Sequence, residues 1–209
     1  AYFFSDQKLE NEWAILVHNI QVSGILGINV VLDEFTAVNK LASEGDKVLP
    51  SVFMPPLYAY YIYFLKVLSQ NLVNISHIVI FTQILISIIT ILFFFKITKK
   101  LFNSPISTIL VIIFSFFPLY VYSATQISSI TLQIFLLVSF FYYLQKILNN
   151  NKLLDIILFS FISGLSILIR GEFIFFYFLT LLYFFIFSKV NLKLTILTIV
   201  FTLITISPY

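Results

Sequence analysis

"PSVFMPPLYAYYIYFLK" runs from Pro50 to Lys66, and whether it crosses a bilayer decides on which side every later loop lies. Its apolar part, Leu57 to Leu68, is about a dozen residues, against the roughly 20 that a helix needs to span the hydrocarbon core. It is therefore a broken span or a helix lying on the membrane. Beyond residue 75, long apolar runs alternate with short polar breaks. Spans are read at 76–95, 106–122, 129–145, 153–169, 173–187 and 194–207, each able to cross with some tilt or snorkelling. Every second break carries lysine: Lys96, Lys99 and Lys100, then Lys146 and Lys152, then Lys189 and Lys193. The positive-inside rule puts these breaks in the cytoplasm. The intervening breaks at 122–129 and 170–173, the final Ser-Pro-Tyr and all of residues 1–75 then face outward. A full span at Leu57–Leu68 would invert this order. The stretch reads instead as an interfacial helix near 56–70, started by Pro55 and Pro56, with tyrosines at headgroup depth and Lys66 snorkelling. A short tilted span is the alternative.

Composition agrees with a polytopic membrane protein. Hydrophobic residues make up 60% and charged residues 10% of the 209, with a mean hydropathy of +1.05, whereas soluble chains carry about 25% charge. The absence of cysteine excludes disulfides, thiolate catalysis and zinc-thiolate sites. A net charge of +3, built from lysines scattered between apolar runs, does not suit a nucleic-acid partner. The fold class expected is an all-α polytopic bundle of six transmembrane helices at 76–209, preceded by an external loop at 1–75. That loop holds seven of the nine acids. Its outward start, and an opening residue other than Met, predict further chain before Ala1, and the abrupt end predicts more beyond Tyr209.

In "SDQKLENEWAILVHNI" (5–20), Trp13, Leu16, Val17 and Ile20 recur at helical spacing and mark one buried stripe. Extended backward, the stripe reaches Glu10 and then Asp6. A carboxylate held against apolar surface has a raised pKa and can act as a general base toward a hydroxyl. The bland alternative makes Asp6 a helix N-cap and Glu10 a first-turn charge favoured by the dipole. Glu12 turns roughly to the opposite face. Arg170 is the lone arginine and sits at an outward helix end, against the charge bias. Its planar fork suits a phosphate, with Lys66 and Lys47 as nearby point charges, and snorkelling to headgroups is the alternative. His18 and His77 lack a second ligand at metal spacing. The Tyr58, Tyr60, Tyr61 and Tyr63 cluster reads as an interfacial belt whose faces could also stack on sugars. No phosphate-cradling glycine loop or nucleophile elbow is present.

"PPLYAYYIYFLK" (55–66), "FFPLYVYSATQISSITLQIFLL" (116–137), "ISGLSILIRGEF" (162–173) and the final "ISPY" resemble the GT-C membrane glycosyltransferases, family 39 in particular. These include the protein O-mannosyltransferases and the aminoarabinose transferases. The likeness covers nearly the whole chain in order, and its most specific pieces are 55–58 and 164–170. It implies a glycosyltransferase of the outer face of a bacterial inner membrane, with an inverting transfer from a polyprenyl-phosphate sugar to a hydroxyl on a lipid, glycan or protein. It also implies a donor framed by Pro55, Pro56, Tyr58 and Trp13, with a divalent metal as the one cofactor left open. Such proteins commonly carry an Asp-Glu pair where this chain has Leu9 and Glu10, which leaves Glu10, Glu12 and Asp6 as candidates for the base. A transporter or flippase for lipid-linked sugar, or a non-catalytic membrane subunit, are the competing functions.

Overall fold

The computed structural model describes residues 11–29, 48–50, 55–69, 74–150, 152–186 and 192–208. The described residues form nine helices and one short ribbon: α1 (Asn11–Ser23), β1 (Gly27–Asn29), β2 (Val48–Pro50), α2 (Pro56–Ser69), α3 (Ile75–Leu101), α4 (Ser104–Ser115), α5 (Pro118–Thr125), α6 (Ile130–Asn150), α7 (Leu153–Ile169), α8 (Phe173–Ile186) and α9 (Leu192–Ile206). Residues 1–82 with 125–127 make one compact unit, and residues 83–124 with 128–209 a second.

In the first unit, Leu16 and Ile20 of α1 pack with Leu26 and Ala59, covered by Trp13 and Tyr63. The expected stripe is thus the buried face of α1. The helix stops at Gly24, whose φ of 71° is open to glycine at little cost; its N–H bonds the Ile20 carbonyl at 3.0 Å, a left-handed cap. Asn19 then ties the exit chain down by donating to the Gly27 carbonyl at 2.8 Å. The ribbon is antiparallel, with Gly27 opposite Pro50 and Asn29 opposite Val48. Pro56 takes the first position of α2, where a missing N–H costs nothing. Along α2, Tyr58, Ala59, Ile62 and Leu65 are buried, while Tyr60, Phe64, Val67 and Leu68 form an exposed apolar stripe on another face.

The expected spans survive as helices, with two differences. The run at 106–122 is not one rod but α4 and α5, bent by 50°. Pro118 has no N–H to continue α4 and starts α5 instead, and the Phe116 N–H closes α4 on the Ile112 carbonyl at 3.1 Å. Further, α3 and α6 continue through the lysines taken as breaks, to Leu101 and Asn150. Lysine is a good helix former and extends the rod past the apolar segment. By length and composition α3 and α6 can each cross a membrane, and the bent pair α4–α5 together has the length and apolarity of a broken span or a re-entrant loop; α7, α8 and α9 are apolar but shorter. The chain is an integral membrane protein of helical class.

Packing in the second unit rests on aromatics and small residues. Phe140 and Ile147 of α6, Ile156 and Phe159 of α7, and Phe173, Tyr177 and Phe184 of α8 form its core. Phe93 of α3 stacks on Phe135 and Tyr142 of α6. Gln83 donates to the Ser128 carbonyl at 2.7 Å and Tyr120 to that of Ser87 at 2.7 Å. Against α9, α7 presents Gly164: a Cβ there would lie 2.6 Å from Cβ of Thr205. Small residues at such crossings let helix backbones approach closely. Thr202 adds a hydroxyl bond to the Ser160 carbonyl at 3.2 Å.

Candidate functional site

In the second unit, α7 ends at Arg170 because the chain turns extended there (φ −152°, ψ 113°), with the Arg170 N–H closing on Ser166 at 3.0 Å. The turn to α8 is three residues long. Its carbonyls at Arg170, Gly171 and Glu172 accept from the N–H groups of Phe173, Ile174 and Phe175. The carbonyls of the turn are therefore satisfied by the backbone and make no demand on the side chains.

A cavity of about 280 Å³ opens at this turn, lined by Gln133 and Leu137 of α6, Ser166 and Ile169 of α7, Arg170 and Glu172 of the turn, and Phe173 and Phe176 of α8. Arg170 Nη1 lies 4.0 Å from Glu172 Oε2, and the two side chains are 54% and 85% exposed. An exposed pair at that distance binds weakly. The guanidinium keeps most of its positive field and its fork, which is what an anionic ligand needs. The other acid of this unit, Asp155, is used up structurally: it is buried and paired with Lys146 at 3.2 Å across the α6–α7 turn. Lys146 also lies over the rings of Tyr142 and Tyr143.

In the first unit, Trp13 meets Tyr58 edge to face at 4.8 Å, and Tyr58 stacks on Tyr61 at 5.8 Å. Tyr58 is fully buried, so its ring is committed to these neighbours. The Thr82 hydroxyl spends its proton on the Ile78 and Val79 carbonyls at 2.9 Å, so Tyr61 must be the donor in its bond to Thr82. Burial pushes the Tyr61 phenol upward. Pro55 and Pro56 lead into α2, and half-buried Lys66 lies in its last turn, its carbonyl taken by Ser69 at 3.0 Å.

Of the other candidates, Glu12 falls in the first turn of α1, and Asp6, Glu10 and Lys47 lie outside the described residues. Among the described residues no three His, Asp or Glu side chains gather closely enough to hold a metal. Sequence reasoning missed Gln133, Ser166, Glu172, Phe173 and Phe176 as cavity residues. Ser166 carried a signal, being one helical turn before Arg170, and Gln133 another, as an amide inside an apolar run.

A helical, polytopic membrane protein with an arginine at the mouth of a small, mainly apolar cavity at a helix end is the class this geometry defines. The sequence model of the dolichyl-phosphate-mannose-protein mannosyltransferase family matches residues 54–209, and the chain belongs to that family. It is a membrane glycosyltransferase of the GT-C type. No curated protein and no solved structure matches the chain.

Proposed function

We propose that this chain moves a sugar from a polyprenyl-phosphate donor to an acceptor hydroxyl, with inversion, on the outer face of a bacterial inner membrane. The observation that carries the reading is Arg170, half exposed and barely neutralised over its cavity, in a family named for lipid-phosphate-sugar transfer. In the step proposed, a carboxylate, Glu10 first among Asp6, Glu10 and Glu12, takes the acceptor proton. The acceptor oxygen forms its bond to the anomeric carbon, and the bond from that carbon to the phosphate oxygen breaks. The departing lipid phosphate takes the electron pair, and Arg170 stabilises the charge it gains. Lys66 and Lys47 are proposed as further point charges for the donor, and Pro55, Pro56 and Trp13 as its frame, with buried Tyr58 backing the Trp13 ring from behind. α7, α8 and α9 are proposed as spans with the others. The exposed stripe of Tyr60, Phe64, Val67 and Leu68 supports a surface-lying α2, since an apolar face on such a helix fits the headgroup boundary.

The test is transfer by purified protein in liposomes, using labelled polyprenyl-phosphate sugars and a panel of hydroxyl acceptors. Arg170→Ala is expected to lower kcat/KM for the donor by roughly 10- to 100-fold, the size of a lost charged hydrogen bond. Arg170→Lys should fall between, because a point charge lacks the fork. Unchanged donor kinetics in the alanine variant would return Arg170 to headgroup snorkelling. Movement of intact lipid-linked sugar across the bilayer without transfer would favour the flippase reading.

A further inference from the structure

Arg170 accounts for one corner of its cavity, and the rest has a different chemistry. A pocket built for phosphate alone collects donors, yet here a carboxylate, Glu172, shares the lining with an amide, Gln133, and a hydroxyl, Ser166. Ser166 gives its proton to the Ile162 carbonyl at 2.7 Å, so its oxygen can only accept from a further partner. The Gln133 side chain, from α6, offers both a donor and an acceptor. Phe173 and Phe176, stacked at 5.8 Å, supply apolar ring surface. A mainly apolar wall with ring surface, edged by a few donors and acceptors, matches a polyol ring, which presents both C–H faces and hydroxyls. The volume, about 280 Å³, lies near the lower end of small-molecule sites and does not suit a long lipid chain.

We infer that the cavity at the α7–α8 turn holds the transferred sugar itself, a neutral hexose or pentose, with Gln133 and Glu172 reading its hydroxyls beside a phosphate at Arg170. This rests on the donor reading proposed above. Glu172 sets the class: its carboxylate, exposed at the rim of the cavity, accepts from hydroxyls and repels a uronic acid, whose own carboxylate would be placed near it. Gln133 is the specificity residue, since it comes from α6, a different element from the turn that carries the arginine.

The test compares two probes that differ by one sugar, polyprenyl phosphate and polyprenyl-phosphate mannose, bound to the purified full chain in nanodiscs. The native protein should prefer the mannosylated lipid. Gln133→Leu should cut that preference about five- to tenfold, the worth of one or two hydrogen bonds, while affinity for the bare lipid phosphate stays within about twofold. Glu172→Gln should weaken mannose binding about two- to threefold, since the amide keeps only one acceptor oxygen, and raise affinity for a polyprenyl-phosphate glucuronate. Arg170→Gln should weaken both lipids together. Retained binding of the bare phosphate shows that a variant is folded. A native protein that binds both lipids equally, or a Gln133→Leu variant that loses both equally, overturns the sugar subsite and leaves the donor reading standing. If neither lipid binds the native protein, the donor reading falls and this inference falls with it.

Discussion

Trp13 is half-buried, and Leu16, Val17 and Ile20 are buried, on one face of α1, which fixes the phase of that helix. Glu10 is nominated by the sequence alone, where it stands three and seven residues before Trp13 and Val17, and Glu12 falls out of that apolar period. If Glu10 takes the acceptor proton, Glu10→Gln should preserve donor binding while turnover drops by about 100-fold or more. Glu12→Gln should do much less. The order of the two losses is the measurement: a larger loss at Glu12 would mean the helical phase does not continue past Asn11. Equal indifference at Asp6, Glu10 and Glu12 would place the base elsewhere. The sequence could nominate these carboxylates because apolar periodicity is local. It could not nominate Gln133, because what makes that amide a cavity residue is the arrival of α7 and α8 at its side, a consequence of tertiary packing.

Among the elements, α7 shows what sequence reading captures and what it does not. Its limits, 153–169, were legible because asparagines and a lysine precede the apolar run and an arginine and glycine follow it. The bend between α4 and α5 was obscured because hydropathy averages over Pro118, although the proline itself dictates the break. The ion pair of Lys146 with Asp155 joins two helices across a turn, and hydropathy carries no information on such pairs. Gly164 belongs to the same class of feature, since its importance comes from α9. A methyl group there would sit 2.6 Å from Cβ of Thr205 and 3.3 Å from the Thr202 carbonyl, and backbone cannot swing aside as a flexible side chain would. Gly164→Ala should therefore force α7 and α9 apart and cost about 1–3 kcal/mol, the usual size of overpacking. Gly164→Val should cost more, and Thr205→Ala or Thr205→Ser should recover part of the loss in Gly164→Ala. Thermal unfolding in detergent measures this. An alanine variant as stable as the parent would mean the crossing is looser than the geometry requires.

For the whole molecule, the decisive question is orientation, because a donor site at Arg170 is useful only on the side where the donor lies. The argument is one of parity. Three lysine-bearing breaks alternate with breaks that lack lysine, and α2, at 14 residues, spans only about 21 Å, short of the roughly 30 Å core. With α2 at the surface, the lysine breaks are cytoplasmic and the Arg170 turn is outside. With α2 as a span, every one of these assignments reverses. The chain has no cysteine, so single cysteines report without background. Ser104, Asn150 and Gly171 are all exposed, and a side chain at Gly171 meets nothing within 4 Å, so access there reflects the membrane rather than packing. An impermeant thiol reagent added outside intact cells should label Gly171→Cys and leave Ser104→Cys and Asn150→Cys untouched until the membrane is opened. The reverse pattern would make α2 a crossing helix and put Arg170 in the cytoplasm, where an outward-facing donor could not reach it. Labelling of both sets would break the alternation itself, and with it the reading of the short helices α7 and α8 as spans.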